Sequence, residues 1–482
     1  MPAPLILKGS LTVDERAVGP FLYLPFEVPA GVTRLDVRYE YSPGHILDIG
    51  LFDPSLEPFP SQRGFRGWSG GARTDFFVAT DDATPGYLPG AIAPGNWRVV
   101  LGLAQVAATP CQYHVEVTFS TDVRPSVNAR PPWPEAQANA RWYRGDLQSH
   151  THHSDATGSL DDLCQAARAR GLEFLAVTDH NTCSHHPHLA AASSPEFLLL
   201  PGEEVTTYKG HANVWGIEGW VDFRLESEND LPALLEQVAQ RGGVFSVNHP
   251  KMSPGCIGCD WSYPVPEAAD CFEVWQGPWW HRNWESLARY DAQLALGRRL
   301  TLVGGSDRHQ PGWPDATPSF LQVGSPTTWL HLEELSSIGV LDALQSGRSF
   351  VSESPEGPQL EIRAANTPMG GTLAVVTSEP ILLEAKVTGA AGDILWWVSA
   401  AGCVRELIIG ADTFHDQWEW SAASPYIRAE IHASTEKRRH ALDVSQKYYN
   451  SGKVPMGLSV QEIKKRPLMR ALSNPIYMRL AS

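Results

Sequence analysis

Short apolar runs and runs of alternating apolar and polar residues dominate the first 140 positions of the chain. Turns rich in Gly, Pro and Asp separate them, and helical periodicity is scarce. The clearest runs are 21–26, 35–39, 97–103 and 113–119. Alternation with a period of two is typical of strands with one buried face. The pattern therefore predicts a β-sandwich over 1–140, which ends in the Pro-rich linker 130–135.

A second pattern, in which strands alternate with helices, occupies residues 141–350. The predicted strands are 145–148, 174–178, 197–200, 212–217, 244–248, 272–275, 300–304 and 320–323. The predicted helices are 161–170, 232–241, 284–296 and 332–346. Ser159 or Asp161 offers an N-cap for the first helix, and Gly171 follows it as a C-cap. This alternation predicts a parallel sheet that is either open or closed into a barrel.

Strand patterns return over residues 351–482. Apolar runs at 381–387, 394–398 and 427–431 predict a small β-sandwich. Residues 433–470 interrupt it with a basic, polar sequence. That segment is interpreted either as a solvated excursion from the sheet or as a tail that binds nucleic acid or a protein partner.

Composition and charge exclude several classes of protein. The formal net charge of −16 argues against an extended nucleic-acid partner and against electrostatic binding to anionic lipid. No apolar stretch reaches the length of a membrane helix, and the N-terminus lacks the layout of a secretory signal. Seven cysteines, an odd number, predict reduced thiols and a cytoplasmic location. The single CxxC, Cys256 to Cys259, is interpreted as a Gly-rich loop with two thiols, because no second CxxC completes a structural zinc site.

Histidines and carboxylates gather at the ends of the predicted central strands. Eight of the 17 histidines lie within residues 150–211. His150 and His152 follow the strand 145–148, with Asp155 close behind. In an extended chain, alternate side chains point to the same side, so these two imidazoles form a ready pair of nitrogen ligands. The further candidates follow later strands and are His180, Glu203, Glu204, His211, His249, Asp307 and His309.

The position of these residues predicts a metal site. In α/β folds the carboxyl ends of the strands meet at one edge, and sites are built there. Imidazole and carboxylate together form the ligand set of zinc, iron or manganese. One His-x-His alone is weak evidence for a metal site. Five such elements on successive strand ends are better explained by a metal site than by a coincidence of unrelated residues.

In order and spacing, these motifs resemble those of the PHP (polymerase and histidinol phosphatase) family. They are HTHHSD at 150–155, VTDH at 177–180, GEEV at 202–205, NHP at 248–250 and GSDRH at 305–309. GHANV at 210–214 and SNPIY at 473–477 resemble the carbaryl-hydrolase-like branch. The resemblance covers roughly residues 144–350. It implies a distorted (β/α)7 PHP barrel at 141–350, flanked by the β-sandwich domains 1–140 and 351–482.

The resemblance also implies a centre of two or three divalent metal ions, Zn, Mn or Fe. Carried over residue by residue, the ligands are His150, His152, Asp155, His180, Glu204, His211, His249, Asp307 and His309. Glu204, rather than Glu203, matches the Gly-x-Glu pattern of the family and suits a carboxylate that bridges two ions. Asp155 stands where many members carry His or Asp.

The implied activity is that of a metal-dependent hydrolase that uses an activated water. The favoured substrate is a phosphoester, either a monoester or a diester, of a small molecule. The alternatives are a carbamate or carboxylic ester, and a metal-binding scaffold without catalytic activity. Asp155 and Arg308 are the catalytic candidates, and Arg308 either faces the substrate or packs behind its strand.

Two further residues are candidates for substrate binding alongside Arg308. Lys251, two residues after His249, either binds an anionic substrate or is a surface lysine. Trp279, in an aromatic cluster after another strand end, either stacks on an aryl leaving group or packs against the N-terminal β-domain. The expected partner is a small-molecule ester, with no membrane and no extended nucleic acid. The oligomeric state does not follow from the sequence.

Overall fold

The computed structural model describes residues 4–121, 131–136, 138–310, 319–375, 379–421, 424–449 and 458–480. It is a mixed α/β protein with several β-sheets. Arg130 and part of the predicted excursion 433–470 lie outside the described residues. The three domain boundaries given above stay predictions.

The N-terminal β-region consists of two four-stranded antiparallel sheets, ordered β1-β8-β3-β6 and β2-β7-β4-β5. Alternate residues of the strands are buried, so the two sheets enclose one apolar core that includes Leu35, Val37, Trp97 and Val117. The elements are β1 (Leu5–Leu11), α1 (Val13–Val18), β2 (Phe21–Val28), β3 (Arg34–Tyr41), β4 (Ile46–Phe52), β5 (Phe65–Gly70), β6 (Asp75–Ala79), β7 (Gly95–Gln105) and β8 (Cys111–Ser120).

The central region alternates strands with helices, as the sequence predicts. Its first elements are β9 (Ala138–Asp146), α2 (Leu160–Ala169), β10 (Phe174–Val177), α3 (His186–Ala192), β11 (Leu198–Thr207), β12 (Gly210–Trp215) and α4 (Leu231–Gln240). They are followed by β13 (Val244–Val247), β14 (Cys271–Gln276), α5 (Asn283–Ala295), β15 (Thr301–Gly305), β16 (Thr327–Glu334), α6 (Ser337–Ser346) and β17 (Ser349–Ser352). Ser159 caps α2 through a capping box with Asp162, and the helix buries Leu160 and Leu163 against the sheet.

Strands β9 to β15 are neighbours in chain order within one sheet. Pairing is parallel at β9–β10–β11 and β13–β14–β15, and antiparallel at β11–β12–β13. Just beyond β9 and β15, Ser149 and Arg308 form a parallel bridge, in which the His150 amide donates to the Arg308 carbonyl over 3.0 Å. The residues that follow the first and last of these seven strands are therefore hydrogen-bonded to each other.

The C-terminal β-region extends the same sheet through β16, β17, β26, β25, β22 and β23. A second sheet, β19-β18-β21-β24, packs on it over a core that includes Leu360, Trp397 and Ile427. The elements are β18 (Gln359–Ala364), β19 (Thr367–Pro368), β20 (Thr372–Val375), β21 (Ile381–Thr388), β22 (Ile394–Ser399), β23 (Gly402–Ile408), β24 (Thr413–Trp420), β25 (Tyr426–His432), α7 (Thr435–Tyr449), α8 (Val460–Lys464), β26 (Met469–Ser473) and β27 (Ile476–Leu480).

Three sequence predictions about this scaffold are wrong. The apolar run 320–323 is not a strand, because it begins in the 3-10 turn Ser319–Leu321. The predicted helix 332–346 begins only at Ser337, since residues up to Glu334 belong to β16, paired between β9 and β17. Cys256 and Cys259 are joined in a disulfide instead of remaining two thiols.

Aromatic side chains join the N-terminal β-region to the central region. Phe65 stacks on Trp220 with ring centroids 4.6 Å apart, and Trp68 contacts Phe223 at 4.8 Å. The backbone amide of Ser61 donates to the buried Asp222 carboxylate over 2.9 Å. This contact fixes one face of the β-region beside the carboxyl ends of the central strands. Among the described helices, none is long and apolar enough to cross a membrane.

Candidate metal centre

Seven predicted ligands converge where the central strands end. Their ligand atoms form three groups, each with its members within 4.8 Å of one another: His150, Asp155, His180 and His309; His180, Glu204 and His211; and His150, Glu204 and Asp307. Two residues at this edge, His249 and Asp307, hold positive φ angles of 26° and 53°. Such backbone strain is tolerated where the surrounding structure fixes a side chain for a task.

Glu204, fully buried on β11, lies at the centre of the cluster. Its Oε1 accepts hydrogen bonds from Gln148 Nε2 and Asn248 Nδ2, both over 2.9 Å. The same oxygen lies 3.1 Å from His249 Nε2 and 3.3 Å from His211 Nδ1. Its Oε2 faces the other side, 3.4 Å from His150 Nε2. One carboxylate thus faces both halves of the cluster, which is the position of a bridging ligand.

Two imidazoles of the cluster, those of His309 and His249, each bond a backbone carbonyl through Nδ1. These bonds assign the tautomer of each ring. A carbonyl oxygen can only accept, so His309 Nδ1 donates to the Asp307 carbonyl over 3.0 Å. In the neutral ring, Nε2 then carries a lone pair, and it faces Asp155 Oδ1 at 3.2 Å and His180 Nε2 at 3.4 Å. His249 repeats the arrangement, with Nδ1 bonded to the Cys259 carbonyl over 3.0 Å. Outer hydrogen bonds of this kind orient metal-binding imidazoles.

The arrangement fits divalent cations. Lone pairs and carboxylate oxygens face one another at close range, which is repulsive unless a proton or a cation lies between them. Three buried atoms of the cluster, His150 Nδ1, His211 Nε2 and Glu204 Oε2, also lack a hydrogen-bond partner among the described residues. Nitrogen and oxygen donors in this mixture suit zinc, manganese or iron.

The electrostatics of the cluster show how strongly it attracts positive charge. Burial alone would raise the pKa of Glu204, but the charge of His180 and the bonds from His211 and His249 hold it well below its usual range. Burial likewise lowers the pKa of His249, yet Glu204 outweighs it and raises the pKa to about 9. Protons therefore compete with metal ions for these nitrogens, and metal affinity is expected to fall as the pH falls.

His152 is not brought into the cluster, although the sequence pairs it with His150. The chain leaves the extended conformation after Thr151, and the His152 amide donates to the Gly158 carbonyl over 2.7 Å. The ring lies beside His153, with centroids 4.9 Å apart, in a separate cavity. The side chain that shares the cluster with His150 is instead Gln148, two residues earlier. Period-two alternation from His150 could have found it.

The remaining predicted site residues lie around the cluster. Asp179, which precedes His180 in the VTDH motif and is not one of the predicted site residues, accepts from the Thr151 amide over 2.8 Å and orients the turn that carries Asp155. Arg308 forms the bridge to Ser149, and its guanidinium is 3.4 Å from the Gln310 carbonyl. Trp279 is buried against Trp275 and donates to the Pro467 carbonyl over 3.2 Å, beside a second cavity. The structure therefore does not bring the side chain of Trp279 into the metal cluster.

Lys251 is buried behind the cluster. Its ammonium donates over 2.7 Å to both Gln276 Oε1 and Asn283 Oδ1. Since Oε1 of Gln276 accepts from the lysine, the amide must present Nε2 to Asp307 Oδ2, which it does over 2.7 Å. Lys251 thus positions a ligand candidate instead of facing a substrate.

Replacing Lys251 with Met is expected to weaken metal binding without removing it. The substitution leaves Gln276 Oε1 without its donor, whereas Asn283 Oδ1 still accepts from the Gln276 backbone amide. The Gln276 side-chain amide is then free to rotate, so Asp307 loses its fixed orientation. Supporting hydrogen bonds of this kind contribute about 10–100-fold to metal affinity or activity. Competitive titration with a chromogenic chelator measures the change, and unaltered affinity in a folded Lys251→Met variant would contradict the positioning role.

A cavity of about 720 Å³ opens beside the cluster. Its floor includes Asp155, His180, His211, His249, Asp307 and His309. One wall comes from the N-terminal β-region, and another from the loop that carries Cys256 and Cys259. The cluster is therefore reached through a cavity whose walls come from both the N-terminal β-region and the central region.

Comparison with known proteins identifies the central region. Residues 146–241 match the PHP domain, so the chain contains a PHP domain. No curated protein matches the chain.

Three solved structures resemble the chain at low sequence identity. A two-domain protein of Bacteroides vulgatus that contains a predicted PHP-like metal-dependent phosphoesterase is 16% identical, with a TM-score of 0.36, over 63% of this chain and 95% of that one. A proposed metal-dependent phosphoesterase of Bifidobacterium adolescentis is 18% identical, with a TM-score of 0.26, over 39% and 91%. An amidohydrolase of Chromobacterium violaceum is 16% identical, with a TM-score of 0.23, over 37% and 93%.

Proposed function

We propose that this protein is a metal-dependent hydrolase that cleaves a phosphoester of a small molecule. The observation that carries the proposal is the convergence of seven His, Asp and Glu side chains beside a cavity that five of them line; five of the seven lie within the PHP-domain match at 146–241. We also infer that strands β9 to β15, joined by the bridge between Ser149 and Arg308, form the distorted (β/α)7 barrel that the resemblance to the PHP family implies.

The cluster divides into residues that hold metal and residues that serve the reaction. His150, His180, Glu204, His211, Asp307 and His309 would hold the ions, with Glu204 between them and His249 at its outer oxygen. Divalent ions bound there lower the pKa of a coordinated water and polarise the ester oxygen. Asp155 is the most exposed member, with 47% of its side chain accessible, and its Oδ1 is placed to accept a proton from an attacking water.

The lining of the cavity favours a phosphodiester over a phosphomonoester. Among the described lining residues there is no Lys or Arg, so the cavity supplies no side-chain cation for the second negative charge of a monoester. A diester carries one negative charge, which the metal centre itself neutralises. The same lining suits a carbamate or carboxylic ester, the substrate of the carbaryl-hydrolase-like branch, which is the second candidate.

Metal analysis and a substrate panel test this function together. The purified protein is expected to contain two or three equivalents of Zn, Mn or Fe. It is also expected to hydrolyse bis(4-nitrophenyl) phosphate with a higher kcat/KM than 4-nitrophenyl phosphate. A chelator should abolish turnover, and the metal should restore it. Turnover of 1-naphthyl N-methylcarbamate alone would favour the second candidate, and a protein that retains no divalent metal would refute both.

A further inference from the structure

The wall of the cavity that the N-terminal β-region contributes carries one carboxylate among its described residues, that of Asp48. Asp48 lies on β4 of the N-terminal β-region, and it lines the same cavity as His211 and Asp307. Tyr208, in the turn between β11 and β12, donates its hydroxyl to Asp48 Oδ2 over 2.6 Å. Tyr208 lies two residues beyond Thr206, which pairs with the metal-ligand candidate His211.

Asp48 is held in place but retains an available oxygen. Its Oδ2 is bonded to Tyr208, whereas its Oδ1 has no protein partner among the described residues. Within the same part of the chain, no ion pair involves Asp48, and the nearby Arg16 lies over the ring of Tyr208 instead, 5.5 Å from its centroid. Burial raises the pKa of Asp48 to about 6, against the opposing hydrogen bond from Tyr208, so the carboxylate is still ionised at neutral pH.

Packing around Gly102 prevents this arrangement from relaxing. A Cβ at Gly102 would lie 2.1 Å from the hydroxyl oxygen of Tyr208, 2.9 Å from the Trp68 ring and 3.1 Å from the Asp48 Cβ. The three side chains therefore meet over a position that only glycine can occupy. The carboxylate is thus fixed at the edge of the cavity, where movement into solvent would require it to leave Tyr208.

The charges of the cavity define what this carboxylate can bind. Asp48 is a half-buried anion without an ion-pair partner among the described residues, so a cationic ligand would compensate its charge. The described lining supplies no Lys or Arg to do so, and the metal-ligand candidates of the central region line the same cavity. A substrate that carries its ester at one end and a positive charge at the other would complement both ends at once.

We propose that the substrate of this site carries an ammonium group on the side away from the metal centre, and that Asp48 binds it. This inference rests on the proposed function, since it takes the ester to lie at the metal cluster. It assigns the N-terminal β-region a direct part in substrate selection. It also narrows the substrate class to small phosphodiesters with an amine-bearing alcohol.

Three matched diesters test the proposal: the 4-nitrophenyl esters of 2-aminoethyl, propyl and 2-carboxyethyl phosphate. The metal-loaded protein is expected to prefer the aminoethyl ester to the propyl ester by at least about tenfold in kcat/KM, with the carboxyethyl ester poorest, because a buried charge pair is worth more than that ratio. In Asp48→Asn the ratio of aminoethyl to propyl should fall to about threefold or less. Asp75→Asn, an exposed position in the same β-region, is the matched control and should keep the wild-type ratio.

Binding separates failure of this proposal from failure of the proposed function. The 2-aminoethyl and propyl monoesters of methylphosphonic acid are titrated into the metal-loaded protein by calorimetry. If no diester is turned over, the proposed function fails, but tighter binding of the aminoethyl probe that disappears in Asp48→Asn still supports the role of Asp48. Equal binding of both probes, binding of neither, or a preference that survives Asp48→Asn overturns it.

Discussion

Replacing Glu204 with Gln is expected to release the metal and to abolish hydrolysis. Glu204 faces both halves of the cluster, with Oε1 beside His249 and His211 and Oε2 beside His150. Gln retains an acceptor oxygen but turns a donor NH2 toward one set of imidazoles and removes a negative charge from a fully buried centre. Loss of supporting bonds alone costs about 10–100-fold in metal affinity, so loss of the bridging ligand should exceed about 100-fold.

The neighbouring residue provides a matched control for this experiment. Glu203 is also buried, but its side chain points to the other face of β11, where Oε2 accepts from the Val221 amide over 2.9 Å. Burial raises the pKa of Glu203 to about 8, so at pH 7 the group is mostly protonated and Gln resembles it. Metal content by elemental analysis and kcat/KM should collapse in Glu204→Gln and persist in Glu203→Gln. Equal losses in both variants would show that the strand, and not the ligand, had been damaged.

The sequence predicts the position of a site residue best where that residue directly follows a recognisable strand. The strand ends that precede His180 and His249 fall within a residue or two of their predicted positions. In these cases, hydrophobic runs define the strand, and the strand defines the edge at which the next polar residue emerges. Glu204, in contrast, lies within β11 and not after a strand that ends at residue 200. Local patterns therefore predict several strand ends, whereas the ligand set was an implication of the family resemblance.

Tertiary pairing was harder to predict. The run 320–323 is apolar but too short to distinguish a strand from a turn, whereas β16 alternates apolar and polar residues only weakly over Thr327–Glu334. That strand is stabilised by its neighbours β9 and β17 and not by its own pattern. The cavity wall at Asp48 was even harder to predict from the sequence, because it depends on aromatic contacts between residues more than 100 positions apart, such as Trp68 and Phe223.

Replacing His150 with Ala is expected to abolish activity and to remove at least one metal equivalent while the fold persists. His150 is completely buried, 2.9 Å from Asp307 Oδ1 and 3.4 Å from Glu204 Oε2, and it belongs to two of the three ligand groups. Removing the ring leaves the carboxylates of Asp307 and Glu204 facing an empty space. The repulsion between these two carboxylates therefore increases. Without metal the variant should still melt cooperatively, because the ring packs on His180 and His309 and not in an apolar core.

His152→Ala is the decisive comparison, because sequence alternation and structure disagree about this residue. If the chain were extended through Thr151, the two rings would share one side and both variants would lose metal. In the structure the turn after Thr151 sends His152 toward His153 and the Gly158 carbonyl, so His152→Ala should keep its metal and its kcat/KM within about threefold, an energetic difference below 1 kcal/mol. Loss of metal from His152→Ala would place the ring in the cluster after all. Its retention, with loss in His150→Ala, would establish that the ligand set begins at His150 and that Gln148, bonded to Glu204, occupies the position beside it.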